Sequence, residues 1–241
     1  MAVLAGCGKN IFQQEQRAAW RSQAEAQCMR SGAVKRSSFI QPIGEVNGPG
    51  TCGMDQGLRV TGLQNGQVAL TSRQTLGCPM VATLDKWLAE VVQPAAQSTY
   101  GVPVVEMKAG SYACRGRNNQ AGARLSEHSF GNGADIFSFR LADGRDVTIK
   151  GGWKGAAEDQ HFLRTVFTGA CRQFRTVLGP GADAFHYDHL HLDLAMHDPR
   201  GLRSVCKPIL KFDPVPYEGI VDRPASQASL QRAPSPVMQS P

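Results

Sequence analysis

The sequence has no stretch approaching about eighteen consecutive apolar residues, so no segment reads as a membrane-spanning helix. It has no C-x-x-C pair either, which disfavours a ribbon-type zinc site and a thioredoxin-like redox motif. Internal repeats are lacking, as are Lys/Arg blocks and a basic-aromatic RNA-binding signature. A net charge of +6 over 241 residues would suit a polyanion such as nucleic acid, an anionic membrane face or an acidic wall polymer. Scattered as it is, this charge selects none of them, and no nucleic-acid partner is expected. With 41% hydrophobic and 19% charged residues, the composition is globular, and the chain is long enough for one sizeable core.

Seven cysteines are present: Cys7, Cys28, Cys52, Cys78, Cys114, Cys171 and Cys206. Cysteines spread so widely through a chain of this size predict disulfides, and with them an oxidising compartment. Leu4-Ala5-Gly6-Cys7 reads as a lipobox, which makes Cys7 the lipidation site of an exported protein and leaves six cysteines for three bridges. The pairing is not deducible from spacing, and neither is the oligomeric state. The expected location is periplasmic, with a lipid anchor to a membrane through Cys7.

Along the chain, residues 13–30 carry Ala, Gln, Glu and Arg around Trp20 and predict a surface helix. Residues 31–66 are rich in Gly, Pro and Ser, and the alternating pieces Leu58-Arg59-Val60 and Val68-Ala69-Leu70 predict brief strands. Pro79 suits the first turn of a helix whose apolar stripe is Met80, Leu84, Trp87, Leu88 and Val91, ending before Pro94. Residues 102–107 are strand-like and 111–122 form a polar loop. Asp143-Gly144 is a hairpin signal between strands at 134–140 and 146–150. Residues 157–178 follow a helical pattern through Phe162, Val166, Phe167, Cys171 and Phe174, and 185–195 alternate as a strand. From Asp213 onward Pro, Ser, Gln and Ala dominate, which predicts a disordered tail. The expected class is α+β, a single domain with a central antiparallel sheet and flanking helices. Its organisation is a lipobox-like start and helix (1–30), a body (31–212) and a tail (213–241).

Four of the six histidines fall in two short segments, 126–135 and 186–193. A catalytic zinc takes three protein ligands from imidazole and carboxylate and leaves a fourth position for water. His128, Asp135 and His191 can supply that set, although manganese and iron accept the same ligand types. In a regular strand His189 and His191 share one face, while Leu190, Leu192 and Leu194 share the other. Asp188 then falls on the leucine side, which makes His189 the better candidate for a base beside the metal. Gly131 and Gly133 permit a tight turn between His128 and Asp135. Any single histidine here is more commonly a hydrogen-bonded structural residue; two clusters that each bring a carboxylate favour a metal.

At these positions the chain resembles the metallopeptidase group that unites lysostaphin-type endopeptidases, D-alanyl-D-alanine carboxypeptidases and the hedgehog signalling domain. The shared pattern is S-x-H-x-x-G-x-x-x-D followed by a distant H-x-H, carried here by Ser126, His128, Gly131 and Asp135, then His189 and His191. The resemblance implies zinc held by His128, Asp135 and His191, with His189 as the non-ligand active-site residue. His186 resembles an arrangement in penicillin-insensitive murein endopeptidases. Residues 52–212 are also similar to the bacterial extensin-like family, through Cys52-Gly53-Met54-Asp55, Leu70-Thr71-Ser72-Arg73, Tyr112-Ala113-Cys114-Arg115 and segments 125–135 and 185–194. Gly133 departs from the peptidase pattern, where alanine is more frequent. The resemblance further implies that Arg115 or Arg117 grips a substrate carboxylate. It implies a peptidoglycan peptidase acting on stem peptides, chiefly a D,D-endopeptidase, with a D,D-carboxypeptidase or a non-catalytic zinc-containing wall-binding adaptor as alternatives.

Overall fold

In the computed structural model, which describes residues 17–211, alternation of apolar and polar side chains builds a nine-stranded sheet. Leu58 and Val60 are buried in Gly53–Leu63 (β2), while Arg59 and Thr61, which alternate with them, are exposed. Cys7, the lipobox and the tail 213–241 lie outside the described residues, as does the start of the helix expected from residue 13. That helix runs over Ala19–Ser31 (α1).

The strands are longer than the brief pieces expected. Ile40–Asn47 (β1) forms an edge, β2 follows, and Val68–Gly77 (β3) pairs with it. Pro42 is accommodated because β1 is an edge strand with irregular pairing on either side of Gly44. Val104–Gly110 (β4), Gly133–Leu141 (β5) and Asp146–Thr148 (β6) come next, then Thr176–Leu178 (β7), Leu190–Asp193 (β8) and Val205–Lys207 (β9). The order is β1-β2-β3-β4-β5-β8-β7-β9, with β6 beside β5. The sheet is largely antiparallel, as expected, but mixed: β3 and β4 run parallel, as do β7 and β9. The first parallel pair arises because a helical crossover returns the chain to the same end of the sheet.

That crossover is Cys78–Trp87 (α2), a π-helical turn over Leu88–Val92, and Gln93–Tyr100 (α3). Pro79 sits in the first turn as expected, but the helix does not stop at Pro94. The π turn ends on a bond from Gln93 N–H to Leu88 O, and this wider turn accommodates Pro94, which has no N–H to donate, at the start of α3. Met80, Leu84, Trp87 and Leu88 are buried, and Trp87 Nε1 donates to Val166 O at 3.0 Å. The hairpin at Gly144 forms as expected, leading into the short helix Ile149–Gly152 (α4).

Ala157–Gln173 (α5) buries Phe162, Leu163, Val166 and Phe167. It ends five residues earlier than the helical pattern suggested, because 176–178 fill the ladder between β8 and β9. Gly169 lets α5 approach the π turn so closely that a Cβ there would collide with Val91. Gly169→Ala is expected to destabilise the protein by about 1–3 kcal/mol through overpacking, checked by denaturant titration.

Six cysteines form three bridges, Cys28–Cys78, Cys52–Cys114 and Cys171–Cys206. They tie α1 to α2, the β1–β2 connection to the loop after β4, and α5 to β9. Glu25 of α1 is buried, and its Oε2 accepts the N–H groups of Asp55 and Gln56 at 2.8 Å each. Strand β5 is irregular at its centre. Ser138 pairs with Lys108 and Ile136 with Ala109, so Phe137 is an extra, bulged residue. The bulge lets Ala134 and Ile136 join the core on one side of it and Phe139 and Leu141 on the other.

Candidate metal centre

His128 lies in a 3-10 turn over Glu127–Phe130. Gly131 closes this turn with φ 61°, a left-handed conformation suited to glycine, and a Cβ there would collide with the buried side chain of Met54. Asp135 stands on β5 directly opposite His191 on β8. The leucines at 190 and 192 are fully buried on the other face, as alternation requires.

Three atoms converge. His128 Nε2 is 3.1 Å from Asp135 Oδ1 and 3.1 Å from His191 Nδ1, which is itself 3.0 Å from Asp135 Oδ1. All three residues are buried and form a group able to hold a metal ion. The outer nitrogens explain why. His128 Nδ1 donates to the carbonyl of Ser111 at 2.7 Å, and His191 Nε2 donates to Asp193 Oδ2 at 3.0 Å. With those bonds made, neutral imidazoles turn lone pairs inward, so three acceptors face one another at contact distance. Such a cluster is stable only around positive charge. A tetrahedral centre with ligand bonds near 2.0–2.1 Å would separate its ligand atoms by about 3.3 Å, within a few tenths of an ångström of the spacing found.

Without an ion, a proton on His191 supplies that positive charge instead, and its inward nitrogen then donates to Asp135. Burial pushes the Asp135 carboxyl up, but hydrogen bonds from His128 and His191 outweigh it and hold the group well below the ordinary carboxylate range. Burial pushes His191 down, yet Asp135 and Asp193 raise it to about 9. Asp193 is likewise lowered: burial opposes its charge, and His191 more than compensates.

His189 stands just outside this group, its Nε2 3.5 Å from Asp135 Oδ1 and its ring against Phe137, the bulged residue. Asp188 does not point to the leucine side. Strand β8 begins only at Leu190 and the preceding residues bend, so Asp188 Oδ1 accepts from His189 Nδ1 at 2.9 Å. His186 is buried and donates through Nδ1 to Asp183 at 2.7 Å, with its ring 5.2 Å from that of His189. Burial lowers its pKa against the pull of Asp183.

The two arginines differ. Arg115 Nη2 lies 3.3 Å from Asp135 Oδ2, the oxygen turned away from the imidazoles. Arg117, in the turn Arg117–Asn119, is exposed on the wall of the same cleft. The cleft has a volume of about 470 Å³ and brings Arg117, Asn118 and Phe185 to the metal group.

Sequence reasoning missed Asp193 and Asp183. Asp193 was within reach of it, since two residues past His191 on a strand is the same face. Asp193→Asn is expected to weaken metal affinity about 10–100-fold by loosening the His191 ring, measured by competition with a chromophoric chelator.

Among comparisons with known proteins, the profile of the family described as Extensin-like protein C-terminus matches residues 26–207. That span contains all six bridged cysteines, the three converging side chains and His189. No curated protein and no solved structure matches the chain.

Proposed function

The chain belongs to the extensin-like protein C-terminus family, and on that premise we propose that it is a zinc-dependent peptidoglycan peptidase, chiefly a D,D-endopeptidase. The observation that carries the reading is the inward-facing set of two imidazole nitrogens and one carboxylate oxygen, beside a further imidazole, in an accessible cleft. Two nitrogens and one oxygen suit zinc better than the all-oxygen cations, and three ligands leave a position open. Zinc, when bound, supplies Lewis acidity that polarises a scissile carbonyl and lowers the pKa of water to about 7.

The protein's own groups do the rest. Ser111 O and Asp193 fix the tautomers of His128 and His191. Arg115 holds the outer oxygen of Asp135, which keeps Oδ1 directed inward. His189, with Nδ1 committed to Asp188, presents Nε2 as the acceptor that takes a proton from the attacking water and returns it to the leaving amine. Arg117, rather than the engaged Arg115, suits a carboxylate of the stem peptide by a bidentate grip. A cleft of about 470 Å³ has room for residues on both sides of a bond, which favours an internal cross-link over a terminal alanine. Three disulfides accord with an oxidising compartment, and so with export to the wall.

The test is digestion of purified cross-linked muropeptides by zinc-loaded protein, with His191→Ala as control, read by mass spectrometry. New monomers from the wild type alone support the endopeptidase. Loss of one alanine redirects the reading to a carboxypeptidase. Intact substrate with zinc bound and wall retained in a pull-down overturns it in favour of an adaptor. Arg117→Ala is expected to raise KM about tenfold or more with little change in kcat, since it removes binding common to ground and transition states.

A further inference from the structure

The turn that carries His128 is gripped from outside by a residue far away in sequence. Arg21 of α1 donates two hydrogen bonds to the Glu127 carboxylate, Nη1 to Oε2 at 2.6 Å and Nη2 to Oε1 at 2.7 Å. Both side chains are nearly sealed from solvent, at 11% and 7% exposure. The same guanidinium is covered by the rings of Trp20 and Phe130, with Cζ 4.4 and 3.9 Å from their centroids. Glu127 and Phe130 are the first and last residues of the turn, and His128 lies between them. Asn132 reinforces the grip, donating from Nδ2 to Glu127 Oε2 at 2.6 Å and from its backbone N–H to Glu127 O at 3.1 Å. On the far side, Ser129 Oγ bonds the loop at Ala113 and Arg115.

A buried ion pair is a poor way to gain stability alone, because two charges must be stripped of water and an apolar pair of similar volume packs as well. What a bidentate fork adds is geometry: two parallel bonds fix the carboxylate in position and orientation. Here the fixed carboxylate belongs to the neighbour of a metal-directed histidine.

We propose that Arg21 is a positioning residue of the metal centre, which acts through Glu127 and Phe130 to hold the turn that aims His128 Nε2. Helix α1 is then part of the site. The inference rests on the metal-binding half of the proposed function and is independent of the bond cleaved. Arg21 precedes the span matched by the family profile, residues 26–207, so the match does not itself assign this role.

The experiment compares wild type, Arg21→Met, Arg21→Lys and Arg17→Ala. Arg17 anchors the same helix through Asp55 at 2.6 Å, away from the turn, and serves as the control for helix docking. Zinc affinity is read by chelator competition well below the melting temperature, the ligand field by the visible spectrum of the cobalt-loaded protein, and stability by thermal melts of the metal-free protein. Arg21→Met is expected to lose about 10–100-fold in zinc affinity and to shift the cobalt spectrum. Arg21→Lys keeps the charge without the fork and is expected to recover only part of that loss. Arg17→Ala is expected to melt lower with wild-type affinity. An Arg21→Met protein that melts lower yet binds zinc like wild type overturns the proposal and leaves the metal centre standing. A wild-type protein that takes up no zinc overturns both. Should Arg21→Met fail to fold, Glu127→Gln, which keeps its size and its bond to Asn132, gives the same readout with the same outcomes.

Discussion

His189→Ala is expected to retain zinc at near wild-type affinity and to lower kcat about 10²–10⁴-fold, the usual contribution of one general acid–base group. The separation follows from geometry. The converging atoms come from His128, Asp135 and His191, and removing His189 takes none of them away. It removes the one imidazole whose Nδ1 is occupied by Asp188 and whose Nε2 reaches toward the group at 3.5 Å. Single-turnover digestion of muropeptides with metal content measured on the same sample checks both halves. Unchanged turnover in the variant would remove His189 from the mechanism. Lost metal would show instead that His189 is a ligand.

Reduction is expected to have the largest effect on stability. The bridges close loops of 50, 62 and 35 residues, and on the chain-entropy view loops of that size are worth about 4 kcal/mol each, with about 2–5 kcal/mol typical of single removals. Domain stabilities are about 5–15 kcal/mol in total, so loss of all three consumes most or all of the margin. The metal-free protein treated with a phosphine reductant is expected to lose its cooperative thermal transition at 37 °C, followed by circular dichroism. Among single removals, Cys114→Ser should also weaken metal binding. Its bridge to Cys52 anchors the loop that supplies Ser111 O to His128 and Arg115 to Asp135. A fully reduced protein that melts as the oxidised one does would show that the sheet and helices suffice.

The three converging side chains were legible because the spacing that places them is local. Two-residue alternation put His189 with His191 and the leucines opposite, and the Gly131 turn needed only its own glycine. The same rule misplaced Asp188, since it assumed a strand that in fact starts at Leu190. Pro94 read as a stop because a π turn leaves no mark in the pattern of apolar residues. Residues 174–178 read as helix because a short apolar run fits either period until a ladder position claims it. The parallel pairs depend on where the crossover lands, and Arg21 meets Glu127 across 106 residues; neither is a property of any window of sequence.

Asp135 and His191 occupy opposed rungs of the ladder between β5 and β8, although 56 residues separate them along the chain. A slip of one residue in either strand turns its ligand to the leucine side. Only the observed alignment of the two strands brings all three converging side chains together, so on the proposed reading an ion binds the correct pairing in preference to a slipped one. If the proposed ion binds, each loaded molecule is withdrawn from the competing alignments, and the ion that would serve the chemistry would also favour the correctly threaded chain.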